Sequence, residues 1–473
     1  MKKKPFTEIF TKTNSGIEGL DEITNGGLPK GRPTLIVGSA GCGKTLMAVQ
    51  FLVKGITEFN EPGVFISFEE TKKDLALNVQ SLGFDLNGLI RKKKLLIDYI
   101  HIEKSEIEET GEYDLEGLFI RLNYAIDQVG AKRIVLDTIE SLFGGMENAT
   151  LLRSELRRLF QWLKDKGVTA IITGERGENS LTRQGLEEYV SDCVILLDFR
   201  VIDQIATRRL RIIKYRGSTH GTNEYPFLID EAGISVLPIT SLKLDYKASS
   251  EVISYGHDQL DKLFSKSGFF RGNSTLLTGS AGVSKTILAS YFAVSSCKRK
   301  ERVLFFSFEE SPDQLIRNMT SVGIRLKPFV ESGILQIHSS RPSLNGLEMH
   351  LLVIHKMIKQ YKPKMVIIDP ITSLVTVGNN SEVRAMLVRL MDLLKINQIN
   401  TFFTALTHPH SGEYFDFTID AVSSLADTWI QLSNDTSKGL GSRQLVIVKS
   451  RGMGHSNQMN EFTIDKNGIK FSY

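Results

Sequence analysis

Cysteine is scarce in this chain: three in 473 residues, at Cys42, Cys193 and Cys297, an odd number and widely spaced. That usage excludes a disulfide framework and points to a reducing compartment. There is no run of 18 apolar residues, and the best stretch, Met365–Val375, is interrupted by Asp369-Pro370. A membrane span needs about 20 such residues, so none is expected. The basic start Met1-Lys-Lys-Lys-Pro-Phe-Thr has no apolar segment behind it and does not read as a secretory signal. A formal net charge of +4 is too small to imply nucleic-acid binding by itself. With 41% hydrophobic and 24% charged residues the composition is that of an ordinary globular chain, which argues against disorder. A cytoplasmic protein is expected.

What is present comes twice. Gly38-Ser-Ala-Gly41-Cys-Gly43-Lys44-Thr45 returns as Gly279-Ser-Ala-Gly282-Val-Ser284-Lys285-Thr286. Each octapeptide follows an apolar strand-like run (Pro33–Val37, Ser274–Thr278) and precedes a helix-like one (Leu46–Lys54, Ile287–Ala293). That is the context of a P-loop: backbone N–H groups cradle phosphates, the lysine neutralises the β/γ oxygens, and the threonine hydroxyl holds Mg²⁺. ATP and Mg²⁺ are therefore the expected ligands.

The companions repeat too, in the same order and at a near-constant offset. A strand-like run ends in paired acids, Glu69-Glu70 and then Glu309-Glu310. Another apolar run ends in Asp137 and then Asp369. Each half closes with Lys-x-Arg-Gly-x-x-His, at Lys214/Arg216/His220 and Lys449/Arg451/His455. Such a pattern is a tandem duplication, with a first domain over 1–240, a linker over 241–250 and a second domain over 251–473. Two domains of about 230 residues can each bury a full core. Short apolar strands alternating with amphipathic stretches give βαβ units, hence an α/β fold with a mostly parallel sheet and helices on both faces. Ligands on such a sheet bind at the carboxyl ends of the strands, where the P-loop, the paired acids and the Asp should converge.

The chemistry follows from residue types. Asp137 and Asp369 sit where a strand-end Asp orders a Mg²⁺ shell; an Asp that only caps a helix is the plainer alternative. Glu69, Glu70, Glu309 and Glu310 are candidate bases, although adjacent side chains on a strand face opposite ways, so both act at one site only past the strand end. Lys214, Arg216, Lys449 and Arg451 fit cations that reach into a neighbouring nucleotide site, or else a solvated basic hairpin. His408-Pro-His410 has too few companions for a metal site. The acidic stretch Glu103–Asp114 reads as an exposed loop.

Taken together, the doubled P-loops, Phe-x-Ser-Phe-Glu-Glu, Glu187-Glu-Tyr-Val-Ser-Asp192-Cys-Val-Ile-Leu and Lys-x-Arg-Gly-x-x-His220 closely resemble the KaiC family of circadian-clock ATPases over nearly the whole chain. The resemblance implies two tandem RecA-like P-loop NTPase domains. It also implies a two-tiered homohexamer with ATP at subunit interfaces, a slow ATPase in the first domain that receives a KaiB-like protein, and an autokinase and autophosphatase in the second. The family's neighbouring phosphoacceptors fall on Ser423 and Ser424, and the internal repeat sets Glu188-Tyr189 opposite them. Three departures stand out. Ser284 replaces a glycine, Pro370 follows the second Asp, and the family's KaiA-binding tail has no counterpart after Tyr473, so KaiA is not expected to act. A DNA-acting relative should carry basic, Gly-rich DNA loops, which are not evident; a nucleotide-gated scaffold without kinase activity is the remaining alternative.

Overall fold

Nine short runs in each half are rich in Val, Ile, Leu, Phe and Thr, the residues that fit a pleated, buried surface, and each forms a strand. The computed structural model describes all residues except 1–9, 101–114, 144–148, 178–179, 183–189, 203–204, 239–247, 345, 379, 408–421, 436–441, 467 and 472–473. The expectations for Glu103–Asp114, Glu187–Tyr189, His408–His410 and most of the linker therefore lie outside the described residues. The chain divides into two compact units, Met1–Thr240 and Ser241–Tyr473.

In the first unit the main strands are β1 (Pro33–Gly38), β2 (Gly63–Ser67), β3 (Leu95–Tyr99), β4 (Arg133–Asp137), β5 (Thr169–Glu175), β6 (Cys193–Ile202), β7 (Ile205–Tyr215), β8 (Glu224–Asp230) and β9 (Gly233–Val236). They form one nine-stranded sheet in the order β3-β2-β4-β5-β1-β6-β7-β8-β9. The six from β3 to β6 are parallel, and β7, β8 and β9 return antiparallel. The second unit repeats this with β10 (Ser274–Gly279), β11 (Val303–Ser307), β12 (Leu335–Ser339), β13 (Met365–Asp369), β14 (Asn400–Leu406), β15 (Thr428–Asp435), β16 (Ser442–Ser450), β17 (Asn460–Asp465) and β18 (Gly468–Phe471). Its order, β12-β11-β13-β14-β10-β15-β16-β17-β18, is the same. These are two tandem RecA-like sheets, flanked by helices.

Because neighbouring strand residues face opposite sides, one strand feeds two cores. Phe65, Val135 and Ile171 pack with Phe51 and Leu52 of the helix Lys44–Phe59. Their neighbours Val64, Ile134 and Ile172 pack with Leu122, Leu156 and Phe160 of the helices Glu116–Val129 and Ala149–Asp165. In the second unit Phe305, Ile367 and Phe402 pack with Phe292 of the helix Lys285–Lys298. The sheet is buried on both faces, which leaves its strand ends for chemistry.

Candidate nucleotide sites at the strand ends

The turn after β1 holds Gly41 at φ +72° and Gly43 at φ +105°, a left-handed backbone that favours glycine. Gly38 is required for room: a Cβ there would lie 2.5 Å from the Leu197 carbonyl oxygen of β6. The second loop matches, with Gly282 at φ +80° and Gly279 against the Leu432 carbonyl oxygen. Ser284 takes the left-handed place of Gly43, at φ +78°. That place costs an L residue about 1 kcal/mol or more. Ser284→Gly should therefore raise the unfolding midpoint of the second unit by roughly 2–4 °C; calorimetry showing no rise would mean that the serine repays its strain locally.

Both lysines are buried and arch back over their loops. Lys44 Nζ donates to the carbonyls of Gly38 at 2.9 Å and Ser39 at 3.1 Å. Lys285 Nζ donates to those of Gly279 and Ser280, both at 2.8 Å. Burial lowers the Lys285 ammonium below its usual range, while Asp369 and Glu309 oppose that shift.

The strand-end Asp meets the first helical turn. Thr45 Oγ1 donates to Asp137 Oδ2 at 2.9 Å, and Thr286 makes the same bond to Asp369. From the next strand, Thr173 donates to Asp137 Oδ1 and Thr404 to Asp369 Oδ1. Burial pushes both carboxyls above the usual carboxylate range, and the threonine hydrogen bonds pull the other way. The sign follows: with the folded value above the unfolded one near 3.9, the ionised form costs stability above that pH and nothing below it. At pH 7, Asp137→Asn and Asp369→Asn should raise the thermal midpoint without nucleotide while abolishing ATP turnover. A fall in midpoint would show that the charge stabilises the fold.

The paired acids sit one turn beyond β2 and β11, just before Thr71 and Ser311, which cap the helices Lys72–Gln80 and Pro312–Ser321. There the two acids of each pair take different partners. Glu69 Oε1 accepts from Thr138 Oγ1 and Ser141 Oγ, both at 2.8 Å, beside Asp137. Glu70 accepts from Asn78 Nδ2 at 3.3 Å on the outer helix. In the second unit Glu309 accepts from Ser373 at 3.5 Å and Glu310 from Asn318 at 3.0 Å. Glu309 and Glu310 both line a cleft of about 660 Å³ with Gly282, Lys285, Asp369 and Arg443. The peptides Asp137–Thr138 and Asp369–Pro370 are both cis, so Pro370 keeps the backbone form of its counterpart.

The Lys-x-Arg segments lie elsewhere. Lys214 pairs with Val194 and Lys449 with Trp429, near the amino ends of the parallel strands. Arg216 lies 3.9 Å from Asp192, whose backbone N–H donates to Pro33 at the start of β1. His220 stacks near Tyr215 at 6.5 Å on the same edge. Lys449 Nζ donates to the Ser423 carbonyl at 2.6 Å, and Arg451 donates to the Ser424 carbonyl. Ser423 is half-buried and Ser424 exposed, on a helical turn over 422–425 that precedes Asp427. Asp427 in turn accepts from Ser274 at the start of β10. The P-loops follow the far ends of β1 and β10, and a six-residue strand spans roughly 17 Å. Neither Lys-x-Arg segment nor the serine pair thus adjoins its own P-loop.

Sequence reasoning missed several groups. Thr173 and Thr404 occupy the fifth position of their strands, Asn78 and Asn318 follow the second acid by eight residues, and Arg208 and Arg443 precede Lys214 and Lys449 by six. Those matched offsets were the available signal. Arg443 reaches the cleft, and its register equivalent Arg208 acts electrostatically on Cys42 of the first P-loop.

A P-loop, a hydroxyl-bonded strand-end Asp and an acid beside them, set twice on RecA-like sheets, define a tandem P-loop ATPase. The family model described as "ATPase: KaiC" matches residues 13–241 and again 253–472, and the chain belongs to the KaiC family. It is 55% identical over 458 residues to the circadian clock protein KaiC2 of Synechocystis sp. (strain ATCC 27184 / PCC 6803 / Kazusa), covering 97% of this chain and 81% of that protein. It is 37% identical over 470 residues to the circadian clock oscillator protein KaiC of Synechococcus elongatus, covering 98% and 90%. Against the circadian clock oscillator protein KaiC 1 of the same Synechocystis it is 37% identical over 459 residues, covering 97% and 88%. Membership in an ATPase family implies nucleotide binding by the repeated domains. Among the described residues no helix is long and apolar enough to cross a membrane.

Proposed function

We propose that each half binds Mg-ATP at its P-loop, that the first half hydrolyses it, and that the second transfers the γ-phosphoryl to Ser423 and Ser424 of a neighbouring copy in a homohexameric ring. The reading places the protein in clock-type or stress-signalling timing. One observation carries it: the serines and the Lys449/Arg451 pair share the sheet edge opposite their own P-loop. A site that uses them must draw them from another chain. Lys214, Arg216 and His220 stand in the same relation to the first P-loop.

The residues take these parts. Backbone N–H groups around Gly38, Gly41 and Gly43, and around Gly279, Gly282 and Ser284, cradle the phosphates, with Lys44 and Lys285 neutralising them. Thr45 with Asp137, and Thr286 with Asp369, offer the hard oxygen donors that suit Mg²⁺, an ion that takes one or two protein ligands and fills its shell with phosphate and water. When bound, Mg²⁺ neutralises charge on the phosphate oxygens. Glu69 orients water in the first half. In the second, a serine Oγ forms the new bond to phosphorus while the bond to the bridging oxygen breaks and ADP leaves. The hydroxyl proton passes to Glu309 or Glu310, and the reverse transfer to ADP returns the serine.

Phosphopeptide mass spectrometry after incubation of the full chain with Mg-ATP is the test. Phosphate on the peptide containing Ser423 and Ser424 is expected. ATP turnover without any phosphopeptide would leave an ATPase or scaffold and overturn the kinase.

A further inference from the structure

Beyond their part in transfer, the serines sit in a ring of cations that belongs to their own chain. Lys449 holds the Ser423 carbonyl at 2.6 Å, Arg451 holds that of Ser424, and Lys395 Nζ lies 3.5 Å from that of Leu425. Three cationic side chains thus converge on three successive carbonyls of one helical turn. Among the described residues Lys449 and Arg451 donate to these carbonyls rather than to a carboxylate, and Lys395 is balanced by Asp427 at 2.9 Å. Arg271, Lys395, Asp427 and Arg451 also line a hollow of about 230 Å³ on this edge, with Phe270 beside them. Each serine Oγ belongs to the same residue as a carbonyl these donors hold; it leaves the turn in another direction, and the long lysine and arginine side chains span the difference by changing rotamer.

We propose that Lys395, Lys449 and Arg451 form an intrachain clamp that receives the phosphate once Ser423 or Ser424 is phosphorylated. The inference rests on the proposed phosphorylation of that turn. A phosphoserine carries about −1.5 to −2 charges and three strong acceptor oxygens, and it forms charge-assisted bonds with cations so placed. Carbonyls are weaker partners for an ammonium or guanidinium than a phosphate, so the cations exchange one for the other with little movement of the chain.

The test is ³¹P NMR titration of full-length protein phosphorylated by its own Mg-ATP reaction and freed of nucleotide. An exposed phosphoserine titrates near pH 6. In the folded wild type the phosphoserine midpoint should lie lower by about one unit, as for an acid beside opposite charge, and should return toward 6 in urea. Lys395→Met paired with Asp427→Asn removes one cation without leaving its carboxylate unpartnered, and should recover part of the shift. Identical midpoints in folded and urea-unfolded wild type would overturn the clamp whether or not the double variant folds. A wild type that takes up no phosphate removes the kinase reading itself, and the clamp with it.

Discussion

Glu69→Gln should lower ATP turnover by the first half roughly 10²–10⁴-fold, the range expected when a general base is lost, while Glu70→Gln leaves it near the wild-type rate. The two acids are adjacent in sequence, and only their partners tell them apart. Glu69 accepts from Thr138 and Ser141, which follow Asp137 closely, so its carboxylate is fixed beside the Asp and the P-loop threonine. Glu70 accepts instead from Asn78 of the following helix, although it still acts electrostatically on Asp137. Gln keeps the shape and one acceptor of Glu but cannot take a proton. Steady-state phosphate release from full-length chains carrying Lys285→Ala isolates the first half. Nucleotide binding should survive in both variants, because neither side chain belongs to the phosphate cradle. Equal losses in Glu69→Gln and Glu70→Gln would mean that the pair acts as a unit and that the divergence of their partners is not functional.

Much of this architecture is legible in the residues alone. The P-loops, the strand-end Asp residues and the paired acids announce themselves because each is a short motif at a strand end, and the duplication lets one half vouch for the other. The parallel sheet follows from alternating strand and helix patterns. What is not legible depends on register. Thr173 and Thr404 look like any β-branched residue inside a strand; only the pairing of β5 beside β4, and of β14 beside β13, sets their hydroxyls against Asp137 and Asp369. Arg208 and Arg443 lie on antiparallel strands whose reach toward the P-loop depends on where the hairpin starts. The Lys-x-Arg edge is legible as a motif but not as a location: its place at the amino ends of the parallel strands comes from the return of β7 and β16, which no local pattern encodes. The Ser284 substitution illustrates the converse. Its residue type departs from the glycine expected there, yet the backbone keeps the left-handed turn and the loop keeps its shape.

The strongest consequence of that edge is that phosphate should cross from one chain to the next. Ser423 and Ser424 lie with Lys449 and Arg451 near the start of β10, whereas Lys285 and Thr286 follow its end, a strand length of roughly 17 Å away. Mixing two variants separates donor from acceptor. Chains carrying Ser423→Ala and Ser424→Ala keep a complete phosphate cradle and have no acceptor. Chains carrying Lys285→Ala keep both acceptors and lose the lysine that neutralises the transferred group. Neither should label by itself. After the two are combined with ATP under conditions that let subunits exchange, the peptide mass of each chain reports where phosphate went. The account predicts phosphate on the Lys285→Ala chains in mixed rings, at an appreciable fraction of the wild-type level. Mixed rings without label on those chains, alongside wild-type rings that label normally, would contradict it and place the transfer within a single chain.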